Sequence, residues 1–466
     1  MVVRFSDEQV VKATGATRVR PGARASYDAI STDTRKVSAG SLFVALKGER
    51  YDAHDFIAQA AESGAAGVVV NKAHVAEAWP DPLAVFAVDD TLAALGGLAQ
   101  FHRQRFRIPL GAVTGSNGKT TTKEMIASIL ATRGPALKTL GNLNNEVGVP
   151  LTLFELAPSH VAAIVEMGMN HAGEIGRLAA IAQPDAGLIT SVQSAHLEGL
   201  GSLEGVAKAK GELFFGLRKG ATAVVNLDDP RIFAQAVASG ARQLTFGRHP
   251  HADICLKNVE SLRFDGFRLT LTYLGRTFEV KLKFLGAHNA LNAAAAIALC
   301  IALGYRPEEC VQGLEQVQAY ARRLQVNTAP AGFTVIDDCY NANPSSMLAA
   351  LETLASVSDK AHAVAVLGDM LEVGAGEQQE HTQMGEKAPE YAGTFAFFGP
   401  RMKHAYEAAR PRLGEKAAHF LEVAPLLAWL TPQLSKENVV LVKASRGMKL
   451  ERVIEGLGVA AAGAAH

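Results

Sequence analysis

Ile108-Pro-Leu-Gly-Ala-Val-Thr-Gly-Ser-Asn-Gly-Lys-Thr-Thr-Thr122 begins as an apolar run suited to a buried parallel strand, turns through glycine, serine and asparagine, and arrives at Lys119 and three threonines. Apolar residues at helical spacing continue to Leu130. Strand, glycine-bearing turn, lysine and helix in that order make a phosphate cradle. Gly115 and Gly118 admit backbone angles that a Cβ would forbid, so successive N–H groups can point at an anion where the helix starts. Gly115, Ser116, Asn117 and Gly118 would wrap the phosphates of a nucleotide, and Lys119 would reach the β- and γ-phosphates. Thr120 or Thr121 offers a hydroxyl to Mg2+. The loop is shorter than the usual form, because position 113, where a first glycine would stand, is valine.

Around this loop lie 466 residues, too many for one hydrophobic core; about three domains is the expectation. Lysine plus arginine number 46 and aspartate plus glutamate 46, so no overall field favours nucleic acid or an anionic membrane surface. Cys255, Cys300, Cys310 and Cys339 form no Cys-x-x-Cys pair and sit in apolar segments, which suits reduced thiols in the cytoplasm. The start, Met-Val-Val-Arg-Phe-Ser-Asp, has no basic-then-apolar signal pattern, and no long uninterrupted apolar run predicts membrane insertion.

Residues 1–104 read as a small α/β domain, with strands at Ser41-Leu-Phe-Val-Ala-Leu46, 67–70 and 83–88 and two polar loops, Ser31-Thr-Asp-Thr-Arg-Lys36 and Lys47 to Asp55. Residues 105–325 hold the cradle on a mixed sheet: the period drops to two over 267–273 and 278–284, an antiparallel hairpin. Residues 326–466 alternate strand and helix as a second doubly wound, Rossmann-like domain. The fold class is therefore α/β in three domains.

Several residues fall where such sheets place ligands, outside the carboxyl ends of parallel strands. Val161-Ala-Ala-Ile-Val-Glu166 closes on a carboxylate, a hard oxygen ligand for Mg2+ beside the phosphate loop. His196 follows the next strand end and could ligate a second metal or a phosphate oxygen. Lys208 and Lys210 stand two apart on one helix, so only one faces the crevice, and spacing does not decide which. Asn142, Asn144 and Asn145 in Gly141 to Pro150 can donate to a ligand or cap the helix that follows. His288 and Asn289 open a helix and could cap it or read a purine edge. Three strand ends, Asp337 to Pro344, Gly368 to Glu372 and Lys443 to Arg446, share one rim of the last domain. A phosphate cradle facing such a rim predicts an ATP- and Mg2+-dependent transferase or ligase, closing to exclude water from a reactive intermediate.

Taken together, Thr114-Gly-Ser-Asn-Gly-Lys-Thr-Thr121, Gly141-Asn-Leu-Asn-Asn-Glu-Val-Gly-Val-Pro150, Glu166-Met-Gly-Met-Asn-His-Ala-Gly-Glu174 and Asp338-Cys-Tyr-Asn-Ala-Asn-Pro344 resemble the Mur ligases, ATP-dependent amide-forming enzymes of peptidoglycan precursor synthesis, over essentially the whole chain. The resemblance explains the short loop as the family's own. It implies Lys119 on the γ-phosphate, Thr120 and Glu166 on one Mg2+, His196 on a second, and a carbamylated Lys210 bridging helix and metal. It also implies Asn289 on adenine, Arg322 on the phosphates and Asp338 on the ribose, with Tyr340 and Asn343 nearby. Ser31, Thr32 and Arg35 would take the uridine end of a UDP-muramoyl-tripeptide, while Ser445 and Arg446 would lie by an incoming D-alanyl-D-alanine. A monomer binding no nucleic acid completes the expectation. Folylpolyglutamate synthetase shares the fold and acyl-phosphate chemistry and is the rival within enzymes. Cys339 and Ala444 depart from the family's expected serine and glycine.

Overall fold

The computed structural model of the chain describes residues 4–48, 50–75, 79–80, 82–193, 200, 202–318, 322–371 and 373–459. Three principal sheets organise them. The middle one has nine strands, running Ala136–Lys138, Ala162–Glu166, Leu110–Thr114, Ala186–Ile189, Thr222–Asn226, Arg242–Gly247, Ile254–Ser261, Phe267–Tyr273 and Arg276–Leu282. The first seven pair in parallel and the last two antiparallel. Leu110–Thr114 is buried along its length and lies between two strands that come after it in sequence, so chain order reverses on either side of it. A crevice opens beyond the carboxyl ends of the strands at such a reversal, and the phosphate loop follows this strand directly. The hairpin turns through Leu274 and Gly275, both at positive φ (47° and 74°), the pair of angles a two-residue hairpin needs to match strand twist.

Helices cover both faces. Lys119–Leu130, His288–Ala302 and Pro307–Gln316 pack on one side, where Met125, Ile126, Ile129 and Leu299 are fully buried. Thr91–Arg103, Gly148–Phe154, Glu174–Ala182 and Leu203–Phe215 pack on the other, in a core continuous with the N-terminal sheet through Leu95, Leu98 and Val88. Burying one such Leu or Val contributes about 1.5–3 kcal/mol, so this shared core ties the first sheet to the second. Asp90 starts Thr91–Arg103 by accepting the Leu92 and Ala93 N–H groups.

The first sheet orders Thr17–Arg20, Ala84–Val88, Ala65–Asn71, Ser41–Val44 and Ala29–Ser31; the last orders Gln325–Thr328, Thr334–Asp338, Val439–Lys443, Ala363–Gly368, Thr394–Phe398 and Ala417–Phe420. Because Gln325 pairs in it and Leu324 packs in its core, the last domain begins ahead of the expected residue 326 and takes in Arg322 and Arg323. Apart from its first strand the last sheet is parallel, so Asp338, Lys443 and Gly368 end on a common rim. Ala444, larger than the expected glycine, fits there because residue 368 has no side chain: a Cβ at Gly368 would sit 2.7 Å from that of Ala444. Cys255, Cys300, Cys310 and Cys339 are free and buried. Among the described residues no helix is long and apolar enough to cross a membrane.

Candidate active site at the domain junction

The phosphate loop owes its shape to two glycines. Gly118 (φ 81°) caps the helix Lys119–Leu130 in the left-handed region, and a Cβ there would press within 2.5 Å of Asn292 Oδ1; at Gly115 (φ 150°) it would run into Thr190 Oγ1. The loop is fastened from the neighbouring strand end. Ser116 N–H donates to Ser191 O at 2.8 Å, and Thr190 Oγ1 donates to Asn117 O at 2.6 Å. Lys119 folds over the loop, its ammonium donating to Gly115 O at 2.6 Å. That contact holds the charge where a phosphate oxygen would compete for it.

A polar cleft of about 440 Å³ begins at this loop. Ser116 to Thr120, Asn142, Asn144, Asn145, Glu166 and Lys210 line it from the central sheet; Arg323, Tyr340, Asn343, Ser445 and Arg446 line it from the last domain. Glu166 stands at the end of Ala162–Glu166. Asn144 Nδ2 donates to its Oε1 at 2.9 Å, and its backbone N–H donates to Thr139 Oγ1. Its Oε2 is buried without a hydrogen-bond partner, the position of an oxygen that a cation would satisfy. Lys210 is 2 % exposed, and burial together with the charge of Lys119 pushes its ammonium well below the ordinary lysine range. Lys208 does not line the cleft, so the ambiguity of spacing resolves onto Lys210. Thr120 likewise lines it, whereas Thr121 lines a second cleft. His196 lies outside the described residues.

The second cleft, about 200 Å³, lies between Gly118, Thr121, Asn289 and Asn292 on one domain and Leu324, Asp338, Ala349 and Lys443 on the other. Asn289 is mostly spent on the protein: its Nδ2 donates to Leu285 O at 2.7 Å and its Oδ1 accepts from Asn292 Nδ2 at 2.8 Å. The two domains are joined at this point. Asn117 and Asn343 exchange amide hydrogen bonds, and Asn117 Nδ2 also donates to Ser345 Oγ at 2.9 Å. Asn343 in turn caps the helix Pro344–Val357 through Ser346 N–H. This residue, expected beside substrate, therefore ties the last domain to the phosphate loop. Ser445 is similarly occupied, accepting from Leu371 N–H and donating to Ala342 O.

Arg322 is placed differently from expectation. It lines neither cleft and ion-pairs with Glu451 at 3.2 Å. Its neighbour Arg323 lines both, with its guanidinium 4.1 Å from the Tyr340 ring centroid and its Nε buried without a hydrogen-bond partner. Arg322 and Leu324 flank Arg323 at positive φ (63° and 52°), a backbone conformation that two adjacent arginines in a sequence do not reveal. Asn292 and Gln193 are also site-lining residues that sequence reasoning left without a role.

Ser31, Thr32 and Arg35 belong to the first domain and line neither cleft. Ser31 Oγ donates to Asp33 O, and Arg35 forks the Asp33 carboxylate at 2.9 and 2.8 Å, holding that carboxyl down at about 2. In the second polar loop Asp52, His54 and His74 gather within ligand distance of one another, but His54 Nε2 accepts the Asn71 N–H at 2.9 Å. Nδ1 then carries the proton toward Asp52, and the trio reads as a turn clamp rather than a metal centre.

Family models match three stretches of the chain: a Mur ligase family, catalytic domain at 26–103, a Mur ligase middle domain at 113–300, and a Mur ligase, glutamate ligase domain at 322–446. The chain belongs to the Mur ligase family. It is 38 % identical over 445 residues to the UDP-N-acetylmuramoyl-tripeptide–D-alanyl-D-alanine ligase of Escherichia coli, covering 94 % of this chain and 95 % of that one. Among solved structures it is similar to MurF from Acinetobacter baumannii, with a TM-score of 0.89 at 33 % identity over 98 % of this chain and 99 % of that one. MurF ligase from Thermotoga maritima in complex with ADP matches with a TM-score of 0.82 at 28 % identity, over 92 % and 96 % of the two chains. Three α/β domains and an ATP-dependent Mur ligase activity thus agree with the expectation from sequence.

Proposed function

We propose that this Mur ligase joins D-alanyl-D-alanine to UDP-N-acetylmuramoyl-tripeptide at the expense of ATP, giving the pentapeptide precursor of peptidoglycan in the cytoplasm. The observation that carries the reading is convergence: Lys119, Glu166 and Lys210 of the central sheet meet Arg323, Tyr340 and Arg446 of the last domain around one cleft. In the reaction, a carboxylate oxygen of the tripeptide attacks the γ-phosphorus, the bond to the bridging oxygen breaks, and ADP leaves. The amine of the dipeptide then attacks the acyl-phosphate carbonyl, phosphate departs, and the amine loses a proton.

Anion attacking anion needs cations at the transferring group. Lys119 supplies one by exchanging its bond to Gly115 O for a phosphate oxygen. Arg323, in place of Arg322, supplies a second from the opposite domain, which ties charge neutralisation to domain closure. The donor set fits Mg2+: Thr120, Glu166 and the carbamate of Lys210 would hold it, with His196 completing a second site, and bound Mg2+ would neutralise phosphate charge. Carbamate formation needs the neutral amine, the form toward which burial shifts Lys210. Asp338 accepts from the ribose, and Asn289 and Asn292 edge the adenine cleft. Asn142 and Asn145 border the tripeptide's end, Ser445 and Arg446 the dipeptide. Ser31, Thr32 and Arg35 hold the uridine nucleotide at the far side of the first domain.

Phosphate release from ATP should require both UDP-muramoyl-tripeptide and D-alanyl-D-alanine. Turnover supported instead by folate and glutamate would sink the proposal. Running the coupled assay with tripeptides ending in diaminopimelate and in lysine assigns the third residue.

A further inference from the structure

Lys443 ends its strand directly opposite Asp338 in the parallel register of the last sheet. Its ammonium donates to Asp338 Oδ2 at 2.6 Å and to the Asn341 carbonyl at 2.9 Å. The two side chains are 3 % and 10 % exposed, and both border the smaller cleft. A carboxylate so enclosed needs a counter-charge, and this one has it from a lysine that is itself pinned at a second point. Two of the three N–H donors of the ammonium are spent inside the protein. Fixing Oδ2 on one side restrains rotation of the carboxylate and leaves Oδ1 outside the pair with Lys443.

From this geometry we infer that Lys443 is a positioning residue for nucleotide binding: it holds the Asp338 carboxylate so that its second oxygen accepts the hydroxyls of the nucleotide's sugar. The inference rests on the proposed contact of Asp338 with the ribose. It assigns to Lys443 no contact with phosphate or base. A lysine serving only to neutralise a buried charge would leave sugar recognition unchanged once its loss was compensated; a lysine that aims the carboxylate controls it.

The test compares ADP with 2′,3′-dideoxy-ADP, each with Mg2+, by calorimetric titration of the full chain. A hydrogen bond to a charged group makes a difference of about tenfold or more, which is the preference for ADP expected of the parent. Asp338→Ala should abolish it. Lys443→Met should abolish it as well, while Lys443→Arg should restore part, and the double variant should lose nothing beyond Asp338→Ala alone. Retention of the preference in Lys443→Met, even with both ligands bound more weakly, overturns the inference, as does further loss in the double variant. Should Lys443→Met not fold, Lys443→Gln, which retains a donor for the Asn341 carbonyl, is read on the same scale. If Asp338→Ala itself keeps the preference, the ribose contact is refuted and the inference with it. If Asp338→Ala loses it and Lys443→Met does not, only the inference fails.

Discussion

Two lysines of the central domain lie at the same depth and do opposite things. Lys123, fully buried, donates to Thr139 O at 2.7 Å, pairs with Glu124 Oε1 at 3.0 Å, and lies 4.0 Å from Glu166 Oε2. Glu124 is held in turn by Lys138. Alternating signs along this row keep each charge in a protein interior that would otherwise reject it. Lys210, 2 % exposed, has a cation, Lys119, as the neighbour that acts on its charge, and burial drives it toward the neutral amine. Burial of a lysine therefore carries no functional meaning by itself. An opposite charge alongside favours keeping a buried lysine as a cation, whereas a like charge adds to the burial that already disfavours the charged form.

The largest effect should break that pair apart. Lys210→Ala should lower ligase turnover by about a hundredfold or more, as loss of a preorganised charge at a phosphoryl-transfer site does, and a short-chain carboxylic acid should recover part of it. Lys123→Met should instead lower the unfolding free energy by about 3 kcal/mol, because Glu124 and Glu166 lose their shared cation, and no added acid should repair it. Full activity in Lys210→Ala, or acid rescue of Lys123→Met, would erase the distinction.

Arg322 and Arg323 repeat the contrast one residue apart, the former neutralised by Glu451 and the latter stacked on Tyr340 at the cleft. Arg323→Ala should raise the KM for ATP or lower kcat by about tenfold to a hundredfold. Arg322→Ala, which gives up a partly exposed ion pair of about 0–1 kcal/mol, should stay within about threefold of the parent. Steady-state kinetics of the two variants checks this, and the reverse order would return the phosphate role to Arg322.

What the sequence made legible follows from which signals are local. The strand Phe267–Tyr273 matches the periodicity reading residue for residue, since alternation is written in the residues themselves. The short strand Ala136–Lys138 has no counterpart in the sequence reading, since a three-residue edge strand carries little pattern; the helix expected after the asparagine-rich segment starts within it, at Gly148. Lys119, Glu166 and Asp338 were legible because strand ends and a glycine turn position them. Arg323 was not, because two adjacent identical side chains give no sign of which one the positive-φ backbone at 322 and 324 leaves at the cleft. Nor was the double use of Asn343, whose partner Asn117 stands 226 residues earlier in sequence.

The comparison sharpens further at a buried histidine that lines neither cleft. His102 is fully buried; its Nε2 is 3.3 Å from Leu156 O, and its Nδ1 has no hydrogen-bond partner. Phe5, Phe106 and Phe154 surround it. Its pKa is lowered from 6.5 to about 4, with burial the dominant cause, the Leu156 carbonyl opposing it and the nearby Arg105 charge adding to it. A folded-state pKa below the unfolded one means that, as pH falls from 6.5, the unfolded chain takes up a proton the folded chain refuses. Stability is therefore lost through that window and levels off below about pH 4, by up to about 3 kcal/mol in all. In His102→Phe this share of the slope disappears. Urea midpoints of parent and variant should differ by a constant above pH 7 and shift progressively in favour of the variant between pH 6.5 and 4. Parallel curves would mean that His102 finds a partner for its proton in the folded state, and the rule drawn from Lys123 and Lys210 would then stop at lysine.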